Sequence, residues 1–339
     1  MKVATSGDSS ALHAIPEAAC SAEELGYDIF STSETNHNPF IPLTLAAEHT
    51  ERLALQTAIA LAFPRSPTDM AYIAWDLQKF SNGRLQLGLG SQVRGHVVRR
   101  FSGTWSPPAG RMREFILAMR AVWGTWQNGG RLEFKGKHYR INLMPPFFNP
   151  GPIEHPDIKV YLAAVNPGML RVAGELCQGV LLHSFNTPKY TSEVVLPSLA
   201  EGAAKAGRSL EDIEISGGGF IVTGANEEEI ERERQATKAR IAFYASTRSY
   251  APVFETHGWG DTAEKLYRMS IEGRWSEMAG QIADEMLDAF AVVGDHDHIV
   301  ERIKARFGGY ATSVGFSIPV KNEDDRDRLK TLVRQLQSA

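Results

Sequence analysis

The feature that most constrains this chain is a rhythm: short β-like runs recur along it, nearly all separated by stretches with helical spacing. Lys2–Thr5 precedes a helix over about Leu12–Leu25 that stops at Gly26, and Asp28–Thr32 precedes Ile41–His49, where Pro42 suits a first helical turn. Leu53–Leu61 is too apolar to be half exposed and reads as one strand covered on both faces. Ser66-Pro67-Thr68 opens a helix that ends at Asn82-Gly83, and Leu85–Leu89 is the next strand. After a long excursion the pattern resumes with Ile158–Ala164, a helix from Asn166-Pro167 to about Cys177, Gly179–His183, a helix over Lys189–Ala206, Ile213–Val222 and Thr312–Ile318. About eight strands alternating with helices imply a parallel sheet, and that number predicts closure into an α/β, (β/α)8 TIM barrel. An open doubly wound sheet would carry its glycine fingerprint after the first strand, and Thr5–Ser10 (TSGDSS) lacks it.

The length, 339 residues, suits one such barrel with insertions, so a single domain over 1–339 is expected. One insertion falls at about 99–156. Met112, Phe115, Ile116, Met119, Val122, Trp123 and Trp126 keep helical spacing there, Leu132–Ile141 reads as a hairpin, and five prolines between Pro145 and Pro156 enforce irregular chain. A second, helical insertion occupies about 227–290, before the last strand. A formal charge of -4 gives no basis for a nucleic-acid or anionic-membrane partner. Cys20 and Cys177 form no CxxC pair, which argues against a disulfide framework or zinc site and fits a reducing compartment. The opening MKVATSGDSS has no basic-then-apolar leader, and no apolar run reaches the roughly 18 residues of a membrane span. A cytoplasmic protein is expected.

Two stretches at strand ends have anion-binding character. LQLGLGSQVRG (Leu85–Gly95) places Gly88, Gly90 and Ser91 at the C-terminal end of the fourth strand, where glycine lets a ligand approach or lets a barrel layer pack. Ala163–Gly168 ends the fifth strand and starts a helix with Asn166 as N-cap and Pro167 in its first turn, which presents free N–H groups above the barrel or is a plain capped helix. Together they point to a phosphorylated cofactor. His296 and His298 are placed in a helix's first turn, two apart and therefore not on one face, so no metal site is expected. Glu227–Glu229 after Asn226 reads as a solvated helix start, and Trp123, Trp126, Phe147 and Phe148 read as packing or as pocket lining.

SETNHNPFIPLTLAAEHTERLALQTAIALAF (Ser33–Phe63), AWDLQKFSNGRLQLGLGSQV (Ala74–Val93), RMREFILAMRAVWGTW (Arg111–Trp126), FKGKHYR (Phe134–Arg140), VYLAAVNPGMLRVAGELCQGVLLH (Val160–His183) and VVGDHDHIVERI (Val292–Ile303) form an ordered set. On these stretches the chain resembles the bacterial-luciferase-like monooxygenase superfamily, in particular its coenzyme F420-dependent oxidoreductase branch. The resemblance implies a non-covalent deazaflavin or flavin at the barrel's C-terminal mouth, and a homodimer. It also implies a non-proline cis bond in the third strand, at Ala58-Ile59. Ala58, Ile59, Ala60 and Leu61 would then back the ring. Leu89, Gly90, Ser91 and Gln92, with Val165, Asn166, Gly168 and Met169, would hold the ribityl and phosphate tail, and Arg94 would touch it or be solvated.

The family usually carries an acid beside a histidine at the end of the second strand. Here Glu34 matches the acid, Thr35 stands where the histidine is expected, and His37 lies two residues on. His37 is the candidate acid/base or substrate-orienting group, or a loop histidine that only hydrogen-bonds. Glu34 is placed to orient His37, to meet the ring edge or to form an ion pair, and His183 points to the site face or is structural. Ser91, where some F420 enzymes have glutamate, disfavours a sugar-phosphate substrate. The expected activity is hydride transfer between F420 and a small organic substrate. The alternatives are an FMN-dependent monooxygenase, a barrel that binds a ligand without turnover, and a metal-dependent hydrolase, for which no ligand set is apparent.

Overall fold

A computed structural model describes residues 1–338. Eight parallel strands close into a barrel: β1 (Lys2–Ser6), β2 (Ile29–Thr32), β3 (Ala54–Thr57), β4 (Leu85–Gly90), β5 (Lys159–Ala164), β6 (Gly179–Leu182), β7 (Glu214–Ser216) and β8 (Ser313–Gly315). Each pairs with its chain neighbour, except that β8 sits between β7 and β1, and β3 joins β4 through Leu55↔Leu85 and Gln56↔Gln86. Closure leaves the barrel itself without a free strand edge. The strand interiors are apolar and buried, and the helices lay their apolar stripes on them. Among the described residues, no helix is long and apolar enough to cross a membrane.

The helix Pro67–Phe80 starts where its sequence predicts, with the Ser66 side chain accepting the Asp69 N–H at 3.0 Å. Against it packs the helix Pro108–Asn128, with Trp75, Trp126 and Tyr72 in edge and tilted contacts and the Trp123 indole donating to Ala71 O at 3.1 Å. These tryptophans are core. Phe147 and Phe148, in the proline-rich chain, are exposed instead. The hairpin strands Phe134–Lys135 and Arg140–Ile141 pair as expected, and the Glu114 carboxylate fastens their turn by accepting the N–H groups of Lys137, His138 and Tyr139.

Three expectations need correction. The run Leu53–Leu61 is not one strand: its ladder breaks at Ala58–Ile59 and resumes over Ala60–Leu61. Ile213–Val222 also divides. Glu214–Ser216 belongs to the barrel, while Phe220–Gly224 leaves it and pairs in parallel with Ala291–Asp295, a strand not among those read from the sequence. Gly217-Gly218-Gly219 makes the division: Gly219 takes φ +138°, and a Cβ on Gly218 would stand 2.8 Å from His183 O. Finally, His296 and His298 precede their helix, which begins at Ile299.

Gly88 and Gly90 have a definite packing role. A Cβ on Gly88 would lie 1.9 Å from the Thr57 carbonyl oxygen, and one on Gly90 would lie 2.4 Å from Ile59 Cδ1. The volume these glycines forgo is taken by β3 and the segment after it. Because the first neighbour is backbone and the second a flexible side-chain tip, Gly88→Ala should cost about 3 kcal/mol or more and Gly90→Ala only about 1 kcal/mol. Urea denaturation of the two variants measures the difference, and equal costs would contradict the packing described.

Candidate active site

The C-terminal strand ends gather on one face of the barrel. At its centre the chain bulges after β3, where the Ala58–Ile59 peptide is cis, at the position the resemblance implies. Leu55, Gln56, Thr57, Ala60 and Leu61 are buried, whereas Ala58 is exposed and Ile59 partly so. The bulge is held on both flanks. Ala58 N–H donates to Thr32 O at 2.7 Å, Glu34 N–H to Ile59 O at 3.1 Å, and the Thr57 hydroxyl to Gly88 O at 2.7 Å. A fixed backbone thus leaves Ala58 exposed on the open face, while the Ile59 side chain lies over Gly90.

Glu34 is the fastening beneath. Its Oε2 accepts Leu61 N–H at 2.8 Å and Arg65 Nη1 at 2.7 Å, and its Oε1 accepts Arg65 Nη2 at 2.9 Å. The side chains are only 10% and 14% exposed. Of the roles left open by sequence, Glu34 therefore makes the ion pair, and His37 is not among its partners. His37 is exposed on the loop after β2. The Asp8 carboxyl after β1 is held below its usual range by the Ser10 hydroxyl and N–H, with a smaller contribution from His37. The loops after β1 and β2 thus converge at the mouth.

At the end of β4, Leu89 and Gly90 are buried, and just after it Ser91 and Gln92 are partly so. Gln92 adopts φ 61°, unusual for a side chain of its size, with its Oε1 accepting Val93 N–H at 2.9 Å. Arg94 is exposed at the start of the short helix Arg94–Arg99. Two arginines that sequence reasoning passed over close this side. Arg100 donates to Thr35 O, tying the β2 loop across the mouth. Arg111 stacks over the Phe63 ring at 4.3 Å while donating to Thr104 O at 2.8 Å. Their spacing from the strands gives no sequence signal.

At the end of β5, Val165 is partly buried, its carbonyl accepting the Tyr190 hydroxyl at 3.1 Å; Gly168 is exposed, and Met169 is buried. Asn166 occupies the N-cap position of the helix Pro167–Leu176, but its side chain does not cap. Its amide donates instead to Ser249 O, 2.9 Å away in the helical insertion. At the end of β6, His183 Nδ1 accepts the Phe185 N–H at 2.9 Å, and its ring meets Tyr244 edge-on at 4.4 Å and Tyr250 at 4.9 Å. Burial pushes this imidazole down to about 4. Among the described residues, no three His, Cys, Asp or Glu side chains gather as metal ligands.

A closed barrel of eight parallel strands, each followed by helical chain and with its candidate site at the C-terminal mouth, defines a TIM barrel built as the enzymes of that architecture are built. The sequence profile of the luciferase-like monooxygenases matches residues 2–313, and the chain belongs to that family of enzymes. An uncharacterized protein of Mycobacterium tuberculosis is 46% identical over 298 residues, covering 88% of each chain. Another protein of that organism, provisionally named a coenzyme F420-dependent oxidoreductase, is 32% identical over 310 residues, covering 84% of each. Among solved structures, the coenzyme F420-dependent tetrahydromethanopterin reductase from Methanopyrus kandleri superposes with a TM-score of 0.78 at 24% identity, over 99% of this chain and 98% of that one.

Two outcomes follow from this geometry. Arg65→Ala strands the buried Glu34 carboxylate and should cost about 3 kcal/mol in urea denaturation, more than Glu34→Gln, which keeps an acceptor for Leu61 N–H. Between pH 6.5 and about 4, the unfolded chain binds a proton at His183 that the folded chain refuses. Stability should therefore fall as the pH drops through that window, by up to about 3 kcal/mol from this group. His257 and His296 are lowered by burial too and add to the same trend, so the difference in slope between wild type and His183→Gln isolates the His183 share.

Proposed function

We propose that the protein transfers a hydride between coenzyme F420 and a small organic substrate at the barrel mouth. The observation that carries this reading is the exposed Ala58–Ile59 bulge in an otherwise buried strand, backed by the glycines of β4. It forms a firm, apolar wall against which a flat heterocycle can lie. Its chemistry fits a deazaflavin, whose ring needs an apolar face and whose tail needs hydrogen-bond donors and positive charge. Ala58, Ile59, Ala60 and Leu61 would back the ring. Leu89, Gly90, Ser91 and Gln92, the exposed Arg94, and the turn Val165–Met169 that opens a helix would hold the tail. When bound, the cofactor supplies the two-electron redox chemistry.

The chain's own groups position and shield. Glu34 and Arg65 neutralise each other and fix the backbone of Leu61, so the wall keeps its shape without adding net charge behind the ring. His37, exposed on the mouth loop and outside the Glu34–Arg65 pair, is the candidate group for handling a proton. The relatives provisionally or plainly named as F420 enzymes support the choice of cofactor. A cytoplasmic homodimer completes the reading.

Titrating the purified protein into F420 and, separately, FMN while following fluorescence quenching tests it. Saturable quenching of F420 but not FMN is expected, and Ala58→Phe, which fills the space before the wall, should weaken F420 binding at least about tenfold. Quenching of FMN alone would favour the monooxygenase, and quenching of neither would end the proposal.

A further inference from the structure

His183 stands where β6 ends, and nothing in the cofactor reading uses it. Leu181, two residues earlier, points into the barrel, its Cδ1 lying 2.7 Å from where a Gly88 Cβ would be. Strand alternation puts His183 on the same face, one pleat nearer the mouth. Its tautomer is fixed by a hydrogen bond: Nδ1 accepts the Phe185 N–H, so the ring proton resides on Nε2. Among the described residues, Nε2 has no hydrogen-bond partner, and it is not one of the sealed polar atoms of the interior. It is a donor with no acceptor among the described residues, on a partly buried ring whose Nε2 keeps some contact with solvent.

The surroundings define what that donor can meet. Tyr244, near the end of the helix Glu227–Ala245, presents itself edge-on to the imidazole, and Tyr250 lies at a tilt on its other side. The turn bearing Tyr250 is latched to the end of β5 by the Asn166–Ser249 hydrogen bond, so the helical insertion and the barrel form this rim together. No carboxylate or ammonium group hydrogen-bonds to His183, and burial is the sole cause that moves its acidity. An ionic group placed here would lose its hydration and find no countercharge. An uncharged acceptor oxygen would gain a donor already oriented, and the aromatic rim favours a flat, apolar body attached to it.

We propose that His183, with Tyr244 and Tyr250 as its rim, is a substrate-recognition subsite that selects uncharged, flat molecules bearing a carbonyl or hydroxyl acceptor oxygen for the Nε2–H. The inference rests on the reading of the mouth as a hydride-transfer site and adds to it the class of substrate. His183 binds and orients the substrate oxygen, and the proton of the reaction is handled elsewhere.

Acetophenone serves as the probe, with benzoate (charged) and ethylbenzene (no acceptor) as its matched controls. Binding is measured by calorimetry on the purified protein both with and without F420, so that a failure of cofactor binding and a failure of the subsite are read separately. Acetophenone should bind at least about tenfold more tightly than either control, with an affinity unchanged between about pH 6 and 8 because the ring stays neutral there. His183→Phe should lose about that factor, while His183→Gln, which returns an amide donor near the Nε2 position, should recover most of it. F420 quenching should be unaffected in both. Because His183→Phe also strips Phe185 N–H of its acceptor, Tyr250→Ala provides a second variant that leaves that bond intact and should weaken acetophenone binding as well. Equal binding of benzoate and acetophenone, no loss in both His183→Phe and Tyr250→Ala, or no binding of acetophenone at millimolar concentration would overturn the proposal.

Discussion

The architecture of the mouth depends on one interlock, between the end of β3 and the glycines of β4. The Thr57 carbonyl oxygen occupies the space a side chain at residue 88 would need, and the Thr57 hydroxyl donates to Gly88 O. One step higher, the Ile59 side chain fills the space above Gly90. Neighbouring barrel strands ordinarily meet through backbone hydrogen bonds about 4.8 Å apart, with their side chains standing off the sheet on either face. Here one strand surrenders its side chains so that the neighbour can come forward. That advance is what exposes Ala58 at the mouth, and Glu34, Arg65 and Thr32 then secure the flanks.

The barrel was legible in the sequence because its cause is periodic. Apolar runs such as Leu85–Leu89 and Ile158–Ala164 need cover on both faces, and the helices between them announce themselves by stripes, caps and glycine stops. Where the reading failed, the cause lay outside any local window. Leu53–Leu61 is uniformly apolar, and nothing in it shows that strand pairing breaks at residue 58; the information sits thirty residues on, in Gly88 and Gly90. Ile213–Val222 looks continuous unless the three glycines at 217–219 are read as a change of sheet, and Ala291–Asp295 is recognisable as a strand only through its distant partner Phe220–Gly224.

The mouth residues show the same division. Residue type marks His37, Glu34 and the glycines as worth notice, yet a sequence does not reveal which hydrogen bonds a side chain has already spent. Glu34 spends its own on Leu61 and Arg65, and Asn166 turns from its expected capping role toward Ser249. Tyr244 and Tyr250 were invisible as site residues because they arrive from an insertion whose own periodicity is that of an ordinary surface helix.

The exchange of volume between β3 and β4 also binds the two segments historically. Residues 59 and 90 share one pocket of space, so enlargement of either is tolerable only when the other shrinks, and substitution effects at the pair will not add. At 57 and 88 no such trade is open, because the intruding atom is a main-chain oxygen that every amino acid possesses. Across divergent descendants of this chain, the upper pair is free to drift in concert while the lower glycine stays put.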